Sequence, residues 1–346
     1  MIDTLSSAYS AAAAWRRRWY AGDPSRRRRL VRPVISVGNL RIGGSGKTPS
    51  VEYIARLLLE NGERPAILSR GYGRKRARDG VTVVSDGTTI NNNLDETGDE
   101  PLMLAHALRG VIVLVGADRR LSGSLAERRL GATVHILDDG FQHFELERDV
   151  DLLLVSEDDL EDRPLPAGRL REGLAAATAA DAVLVTAGYD AAAERIGRAF
   201  AVTTAFRVTR QIGAPRTLIT RDTVVVPPNS RVFVVTGIAR PDRFLADISA
   251  TGWETAGVME FRDHHRFTSR DVMKIVVAAK AAAASIVLTT EKDAVRLRAC
   301  DLGDLLIASV PLTVGVEPTD RFRHWLLPRL RANPQSNPHS ALRTPH

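Results

Sequence analysis

The sequence has little cysteine and few aromatic residues. Its single cysteine, Cys300, excludes a disulfide framework and any Cys-x-x-Cys metal pair, and it favours the reducing cytosolic side of a membrane. Aromatic residues make up 5% of the chain, and we find no internal repeat. The interleaving of aromatic and basic residues that is typical of nucleic-acid-binding modules is missing. With 346 residues, 44% of them hydrophobic, the chain is long enough to bury two cores.

Acidic residues are outnumbered, and the net charge is +7. Such a charge favours acidic partners: nucleic acid, phosphorylated small molecules or an anionic membrane. The excess is concentrated near the N-terminus, where eight arginines and one acid, Asp23, lie between Arg16 and Arg32.

The segment before these arginines, "MIDTLSSAYSAAAAWRRRWY", predicts an amphipathic helix. Its apolar stripe consists of Leu5, Tyr9, Ala12, Trp15 and Trp19. The segment is too short and too polar to span a bilayer, and its charges follow the apolar part, unlike those of a signal peptide. We interpret residues 1–32 as a basic helix on an anionic membrane surface. A helix docked on its own domain, or a nucleic-acid patch, stays open as an alternative.

Short apolar strands alternate with helical stretches from residue 33 onward, which predicts an α/β fold with a parallel sheet covered on both faces. We expect a phosphate-binding core at 33–205 and a second, smaller α/β domain at 229–330. Alternating residues at 206–228 predict a two-stranded β connector between them. The polar tail, 331–346, is expected to be disordered.

One loop, "VGNLRIGGSGKTP" at 37–49, nearly matches the phosphate-binding pattern G-x-x-x-x-G-K-[ST]. Arg41 stands where the pattern has its first glycine. The predicted nucleotide loop consists of Arg41, Ile42, Gly43, Gly44, Ser45, Gly46, Lys47 and Thr48. Backbone N–H groups of such a loop bind phosphate oxygens, the lysine reaches the β- and γ-phosphates, and the Thr48 hydroxyl binds Mg²⁺.

A magnesium nucleotide site needs a second acid at the end of a neighbouring strand. The run "VHILDDG" supplies Asp138 and Asp139 in that position. Either carboxylate suits Mg²⁺, and the sequence leaves open which one binds it.

Seven motifs in order carry a family resemblance. They are "GNLRIGGSGKTP", "LSRGYG", "GDEP", "LDDGFQH", "PAGRLRE", "FRDHHRF" and "TEKDAVRL". Together they resemble the tetraacyldisaccharide 4'-kinase family of the lipid A pathway, from about residue 34 to about residue 328. The family also has a non-glycine at the place of Arg41, whereas its N-terminal helix is usually more hydrophobic than this one.

The resemblance implies a P-loop kinase that uses ATP and Mg²⁺. It implies transfer of the γ-phosphate to the 4'-hydroxyl of a tetraacylated glucosamine disaccharide 1-phosphate. The enzyme is expected to be peripheral, on the cytoplasmic face of the inner membrane, with no nucleic acid and no required protein partner. In "TEKD" the asparagine of a guanine-reading N-K-x-D motif is absent, which favours ATP over GTP.

The resemblance also implies roles for residues. Asp99 of "GDEP" matches the catalytic base, although by sequence alone it reads as a helix cap. His264 matches the histidine that pairs with it, with His265 as the alternative. Lys47 belongs to the same catalytic set. Phosphate-binding arginines are expected on the acceptor side, with Arg119, Arg169 and Arg171 preferred to Arg70, Arg74 and Arg120.

Two other functions remain possible from the residues alone. A P-loop switch ATPase that acts on a protein or metal-insertion partner has the same loop and makes no phosphorylated product. An ATPase recruited to nucleic acid by its arginines is the other, with weak support because aromatic residues are few.

Overall fold

The computed structural model describes residues 2–43, 46–72, 74–76, 80–302 and 306–331. Gly44 and Ser45 of the predicted nucleotide loop lie outside the described residues, as does the predicted disordered tail from residue 332 onward.

The described residues form ten α-helices and fourteen strands, besides three short 3₁₀ helices. The helices are α1 (Ile2–Ala21), α2 (Lys47–Glu60), α3 (Leu94–Thr97), α4 (Asp99–Ala107), α5 (Arg119–Leu130), α6 (Asp190–Ala199), α7 (Pro241–Ser249), α8 (Ser269–Ala281), α9 (Glu291–Leu297) and α10 (Thr319–Arg331). The strands are β1 (Val34–Asn39), β2 (Pro65–Ser69), β3 (Val81–Asp86), β4 (Ile112–Gly116), β5 (Val134–Asp138), β6 (Val150–Val155), β7 (Ala182–Thr186), β8 (Ala205–Ile212), β9 (Arg216–Thr217), β10 (Arg231–Thr236), β11 (Glu254–Glu260), β12 (Ile286–Thr290), β13 (Ile307–Val310) and β14 (Leu312–Glu317).

Nine of the described strands form one sheet in the order β14-β8-β7-β6-β1-β5-β2-β4-β3. The inner strands are parallel, and β3 and β14 add to the two edges in antiparallel orientation. Strands β1, β5 and β6 are buried along their whole length, as expected of parallel strands covered on both faces. The predicted α/β fold with a parallel sheet core is confirmed.

A second sheet has the order β11-β10-β12-β13-β9, with β9 antiparallel to β13. Its parallel strands have apolar residues on both faces. Phe233 and Val235 pack with α8 residues such as Ile275, whereas Val234 and Leu288 contribute to a separate cluster on the other face. The chain therefore has two cores, as its length and composition predicted.

The link between the two sheets differs from the predicted connector. Strand β8 pairs with β14, from Ile212 opposite Leu312 to Arg207 opposite Glu317, and not with the segment at 216–226. That segment contributes only β9, which pairs with β13. The chain thus leaves the first sheet along β8 and returns along β14. Helix α10 then packs on the first core through Phe322.

We call the nine-stranded sheet with its helices the first unit and the five-stranded sheet with its helices the second unit. Helix α1 lies on the first unit and leaves an apolar face exposed. Ser6 donates to the carbonyl of Pro164, and Arg17 forms an ion pair with Glu172 at 2.8 Å. Trp15 is 65% exposed and Trp19 is 41% exposed. Within the part of the chain that the structure describes, no helix combines the length and the apolar character that crossing a membrane requires.

Candidate active site

The nucleotide loop lies between β1 and α2, at the carboxyl edge of the first sheet. Gly46 adopts φ 82°, a left-handed conformation that suits glycine, and it directly precedes the first residue of α2. As a glycine it brings no side chain to cap the helix, so the first N–H groups of α2 are left for an anion. Strand and helix thus have the arrangement that the loop's sequence predicted.

Lys47 is held by two partners at the ends of neighbouring strands. Its Nζ is 2.9 Å from Oδ1 of Asn39 and 3.4 Å from Oδ1 of Asp139. Arg171 joins the same cluster with bonds of 2.8 and 2.9 Å to the Asp139 carboxylate, and it donates to Asn39. Two cations therefore lie at the loop where phosphate charge would be bound.

The two adjacent carboxylates differ in environment. Burial of Asp139 acts to raise its pKa, but Arg171 and Lys47 outweigh this and bring the pKa down to about 2. Burial raises the pKa of Asp138 to about 6, with the charges of Glu100 and Asp139 acting in the same direction. Asp138 accepts a hydrogen bond from Ser69 at 3.2 Å. The charge of Asp139 is thus already balanced by Arg171. Asp138 has no such arginine partner in the described part of the chain, so a bound cation is needed to offset the burial that disfavours its ionised form.

The donor atoms here suit Mg²⁺. Thr48 offers a hydroxyl and Asp138 a carboxylate, both hard oxygen ligands. Among the described residues, no group of three or more His, Cys, Asp or Glu side chains is arranged to hold a metal by itself. Mg²⁺ commonly keeps waters and completes its shell with substrate phosphates, so an incomplete protein shell fits a nucleotide-bound ion. Of the two acids that the sequence left open, Asp138 fits a metal ligand better.

The segment at 162–171 lies along the nucleotide loop. The Ile42 N–H donates to the carbonyl of Arg169 at 2.8 Å. Arg41 turns its side chain to two carboxylates, Asp159 at 3.0 Å and Asp162 at 3.4 Å. The residue in place of the first glycine therefore anchors the loop to this segment. Arg169 itself is exposed.

Arg119 is buried at the start of α5 and donates to the carbonyls of Gly116 and Ala117. Burial lowers its pKa to about 10, which the negative charges of Asp138 and Asp139 oppose. The weaker candidates Arg70 and Arg120 are exposed, and Arg74 donates to the backbone of its own loop.

Asp99 and His264, 165 positions apart in sequence, are in contact. Nδ1 of His264 is 2.9 Å from Oδ2 of Asp99, and Asp99 is 6% exposed. Gly98, with φ 82°, sets the start of α4 and passes close to the Tyr72 carbonyl, where a Cβ would lie at 3.2 Å. His264 also has a left-handed φ of 58°, a strained conformation of the kind that concentrates at functional sites. His265, the alternative, instead contacts Asp271 at 3.1 Å.

The pKa values of the pair favour an ionised Asp99. Its burial acts to raise the pKa, but the hydrogen bond from His264 and the charges of Lys292 and Arg296 bring it below its ordinary value. The hydrogen bond to Asp99 raises the pKa of His264 above its ordinary value, which burial and Lys292 oppose. Asp99 can therefore accept a proton at neutral pH.

Two residues of α9 support the pair and were not singled out in the sequence. Arg296 is buried and binds Asp293 at 2.7 Å and the Gly237 carbonyl at 3.0 Å. The N–H of His264 also donates to that carbonyl, at 3.2 Å. Lys292 lies against His264 and Glu100. Both belong to "TEKDAVRL", a motif that carried the family resemblance and the argument against guanine but to which no residue role was assigned.

The Asp99–His264 contact and the nucleotide loop belong to one site. Glu100, next to Asp99, is close enough to Asp138 for its charge to raise the pKa of that acid. Asn39 and Asp138 end strands of the first sheet, and Thr290 ends β12 of the second. Lys292, two residues after Thr290, contacts Glu100, so strand ends of both sheets lie near this site. Such edges are the usual place of ligand sites in α/β folds.

Comparison with known proteins identifies the family of the chain. The family model described as tetraacyldisaccharide-1-P 4'-kinase matches residues 1–331. The chain belongs to this family. A tetraacyldisaccharide 4'-kinase of Desulfotalea psychrophila is 39% identical over 302 residues, which are 85% of this chain and 86% of that protein. One of Syntrophus aciditrophicus is 36% identical over 352 residues, covering 96% and 93% of the two chains.

A solved member of the tetraacyldisaccharide-1-P 4'-kinase family has the same fold. The crystal structure described as an "apo" form of LpxK from Aquifex aeolicus in complex with ATP matches with a TM-score of 0.77 and 31% identity. The match covers 95% of this chain and 98% of that one. Family membership makes the chain an ATP-dependent kinase of lipid A biosynthesis, as the motifs predicted.

Proposed function

We propose that the protein transfers the γ-phosphate of ATP to the 4'-hydroxyl of a tetraacylated glucosamine disaccharide 1-phosphate, with Asp99 as the base. The observation that carries this proposal is the contact of Asp99 with His264 beside the nucleotide loop. A base at that place can reach a hydroxyl presented to the γ-phosphate.

In the proposed reaction the hydroxyl proton moves to the Asp99 carboxylate as the hydroxyl oxygen bonds to the γ-phosphorus. The bond from that phosphorus to the β,γ-bridging oxygen breaks, and ADP leaves. Lys47 and Arg171 place positive charge at the loop, where the phosphate oxygens would lie. His264 holds Asp99 in position, and Asp99 later releases its proton to water.

Thr48 and Asp138 would hold Mg²⁺, with Asp139 kept in place by Arg171. When bound, the ion neutralises phosphate charge that builds up during transfer. Arg119, Arg169 and Arg171 are proposed to contact the phosphorylated substrate or the nucleotide. Of the three, Arg169 is exposed, which suits it to a phosphate on the lipid.

Magnesium dependence should vary with pH because the pKa of Asp138 is about 6. As the pH falls through this value, Asp138 gains a proton and loses the charge that binds the metal. The Mg²⁺ concentration for half-maximal rate should therefore rise about tenfold per pH unit at more acidic pH, and stay level at more alkaline pH. We would measure it at fixed ATP concentration in wild type and in Asp138→Asn. A level Mg²⁺ requirement across this range would contradict the assignment of Asp138.

The lipid substrate implies a membrane surface, for which we propose α1. Its exposed stripe includes Leu5, Tyr9, Trp15 and Trp19, and Arg16 and Arg18 are exposed on the same helix. Trp side chains favour the membrane–water interface, and arginines bind lipid phosphates. Arg17 is paired with Glu172, next to Arg171, so α1 lies close to the nucleotide site. We propose the cytoplasmic face of the inner membrane as the location, since ATP is there.

Replacing both tryptophans, in Trp15→Ser/Trp19→Ser, should weaken binding to anionic vesicles by at least about tenfold. Trp15 is mostly exposed, and the contacts of the Trp19 ring are with Trp15, Tyr20 and Arg26 of the same N-terminal segment, so the cores of the fold should be unaffected. The measurement is co-flotation with vesicles that contain an anionic phospholipid, with Tyr189→Ser as the control because Tyr189 is 65% exposed outside α1. Equal flotation of the double variant and the control would show that the exposed face of α1 does not bind the membrane.

The proposed function is tested by incubating the protein with ATP labelled in the γ-phosphate and the tetraacylated disaccharide 1-phosphate. We expect label in the lipid, at the 4'-position. Release of free phosphate without labelled lipid would instead favour the switch ATPase.

A further inference from the structure

The two ring nitrogens of His264 have different nearest partners. Nδ1 lies 2.9 Å from the Asp99 carboxylate, whereas Nε2 lies 3.2 Å from Nζ of Lys292, with Oδ2 of Asp263 farther away at 3.7 Å. Lys292 is the second residue of α9, and its ammonium is also 3.2 Å from Glu100 and 3.8 Å from Asp263. Two carboxylates therefore accompany the ammonium and keep its positive charge compensated.

The chemistry of the ammonium decides the tautomer of the ring. A lysine ammonium has three donors and no acceptor, so a hydrogen bond to Nε2 requires a lone pair on that nitrogen. A neutral imidazole with its lone pair on Nε2 carries its proton on Nδ1. That proton points at Asp99, whose oxygen accepts it.

We propose that Lys292 is a positioning residue of the transfer reaction: its ammonium donates to Nε2 of His264, so that Nδ1 keeps its proton and presents it to Asp99. The inference rests on the proposed function, because it concerns how Asp99 is held for the hydroxyl proton. Since both ring nitrogens are occupied, the proton taken from the hydroxyl stays on Asp99 and is not passed to His264.

The charged and titratable groups that face His264 come from four parts of the chain. They are Asp99 and Glu100 of α4, Asp263 beside the histidine itself, Lys292 and Arg296 of α9, and Tyr72 after β2, whose ring centroid is 6.1 Å from that of the imidazole. The hydrogen bond to Asp99 raises the pKa of the imidazole, and the ammonium opposes this. Loss of the ammonium should therefore raise that pKa further.

The variant Lys292→Met removes the ammonium and keeps the length of the side chain. Protonation of His264 turns its contact with Asp99 into an ion pair and makes Asp99 a weaker base, so activity falls on the acidic side. In Lys292→Met the acidic limb of kcat should move to higher pH by about one unit. KM for ATP should change by less than about twofold, because the nucleotide loop is untouched. Lys292→Arg should keep the wild-type limb, since guanidinium also has donors only.

A matched control tests whether Lys292 merely joins the two units. Arg266→Met breaks another ion pair between them, that with Asp95, without touching His264. We expect its acidic limb to stay where it is in wild type. Equal shifts in Arg266→Met and Lys292→Met would overturn the proposal, as would a wild-type limb in Lys292→Met.

The tautomer can be observed without any assay of phosphate transfer. In protein labelled with ¹⁵N-histidine, the signals of His264, identified by their loss in His264→Gln, should show an unprotonated Nε2 and a protonated Nδ1 at alkaline pH. The same titration should give a pKa about one unit higher in Lys292→Met. A protonated Nε2 in the neutral ring of the wild type would overturn the proposal. This result is independent of whether the protein phosphorylates the lipid, so it separates the two proposals.

Discussion

Replacing Asp99 by asparagine is expected to lower kcat by about 10² to 10⁴, the usual range for loss of a general base. Asparagine keeps the size of the side chain and an oxygen that can accept from His264, but it cannot take a proton from the hydroxyl. ATP binding should remain near normal, because Lys47 and the start of α2 are unchanged. The measurement is single-turnover transfer at saturating ATP, with ATP affinity determined separately.

The same experiment with His264→Ala tests whether the two residues act together. His264→Ala should cost less than Asp99→Asn if the histidine only orients the aspartate. The double variant should then lose far less than the product of the two single losses, because residues in direct contact couple energetically. Fully multiplicative losses would show that the residues act independently. Full activity of Asp99→Asn would show that Asp99 is not the base and that its role is structural, at the start of α4.

Thermal unfolding of these variants provides the control for folding. Asp95→Asn removes a carboxylate that faces the second unit through Arg266, at the same interface. We expect this variant to keep its transfer rate. A comparable loss of rate in Asp95→Asn would mean that separation of the two units, and not loss of the base, lowers activity.

The features that the sequence predicted best are local. Buried apolar runs marked the parallel strands, and Gly46, Lys47 and Thr48 marked the turn into α2. Asp138 and Asp139 follow such a run, so the place of the acids at the sheet edge could be predicted as well. The sequence could not predict which of the two acids suits the metal, because that depends on the ion pair between Arg171 and Asp139.

Contacts between segments that are far apart in the chain could not be predicted from local sequence patterns. The alternation of apolar and polar residues at 206–226 favours strands but does not specify which strands they pair with. Strand β8 in fact pairs with β14, about 100 residues later in the chain. The contact of Asp99 with His264 followed only from the family resemblance, since by itself Asp99 reads as a cap. Lys292 was missed for the same reason: its position on α9 has meaning only once the two units are seen together.

Replacing Lys47 by methionine is expected to lower transfer by at least about 10³, with little change in folding. In the proposed site the ammonium would face the β- and γ-phosphates, and a single donor at a site of developing charge is worth about 10² to 10³ in kcat even when it carries no full charge. Folding should be preserved because Asp139 keeps its two bonds to Arg171, and the buried Asp138 can stay protonated once the charge of Lys47 is gone. The measurements are single-turnover transfer and the midpoint of thermal unfolding.

Two matched variants separate the roles of charge and placement in this prediction. Asn39→Ala removes the oxygen that lies 2.9 Å from Lys47 Nζ but leaves the ammonium, so its loss should be much smaller, about tenfold. Lys47→Arg keeps the charge with a different shape, and should fall between Asn39→Ala and Lys47→Met. If Lys47→Met turned over at nearly the wild-type rate, the nucleotide would have to bind elsewhere. The cluster of Lys47, Arg171 and Asp139 would then be an ion-pair network that only holds the loop to the sheet.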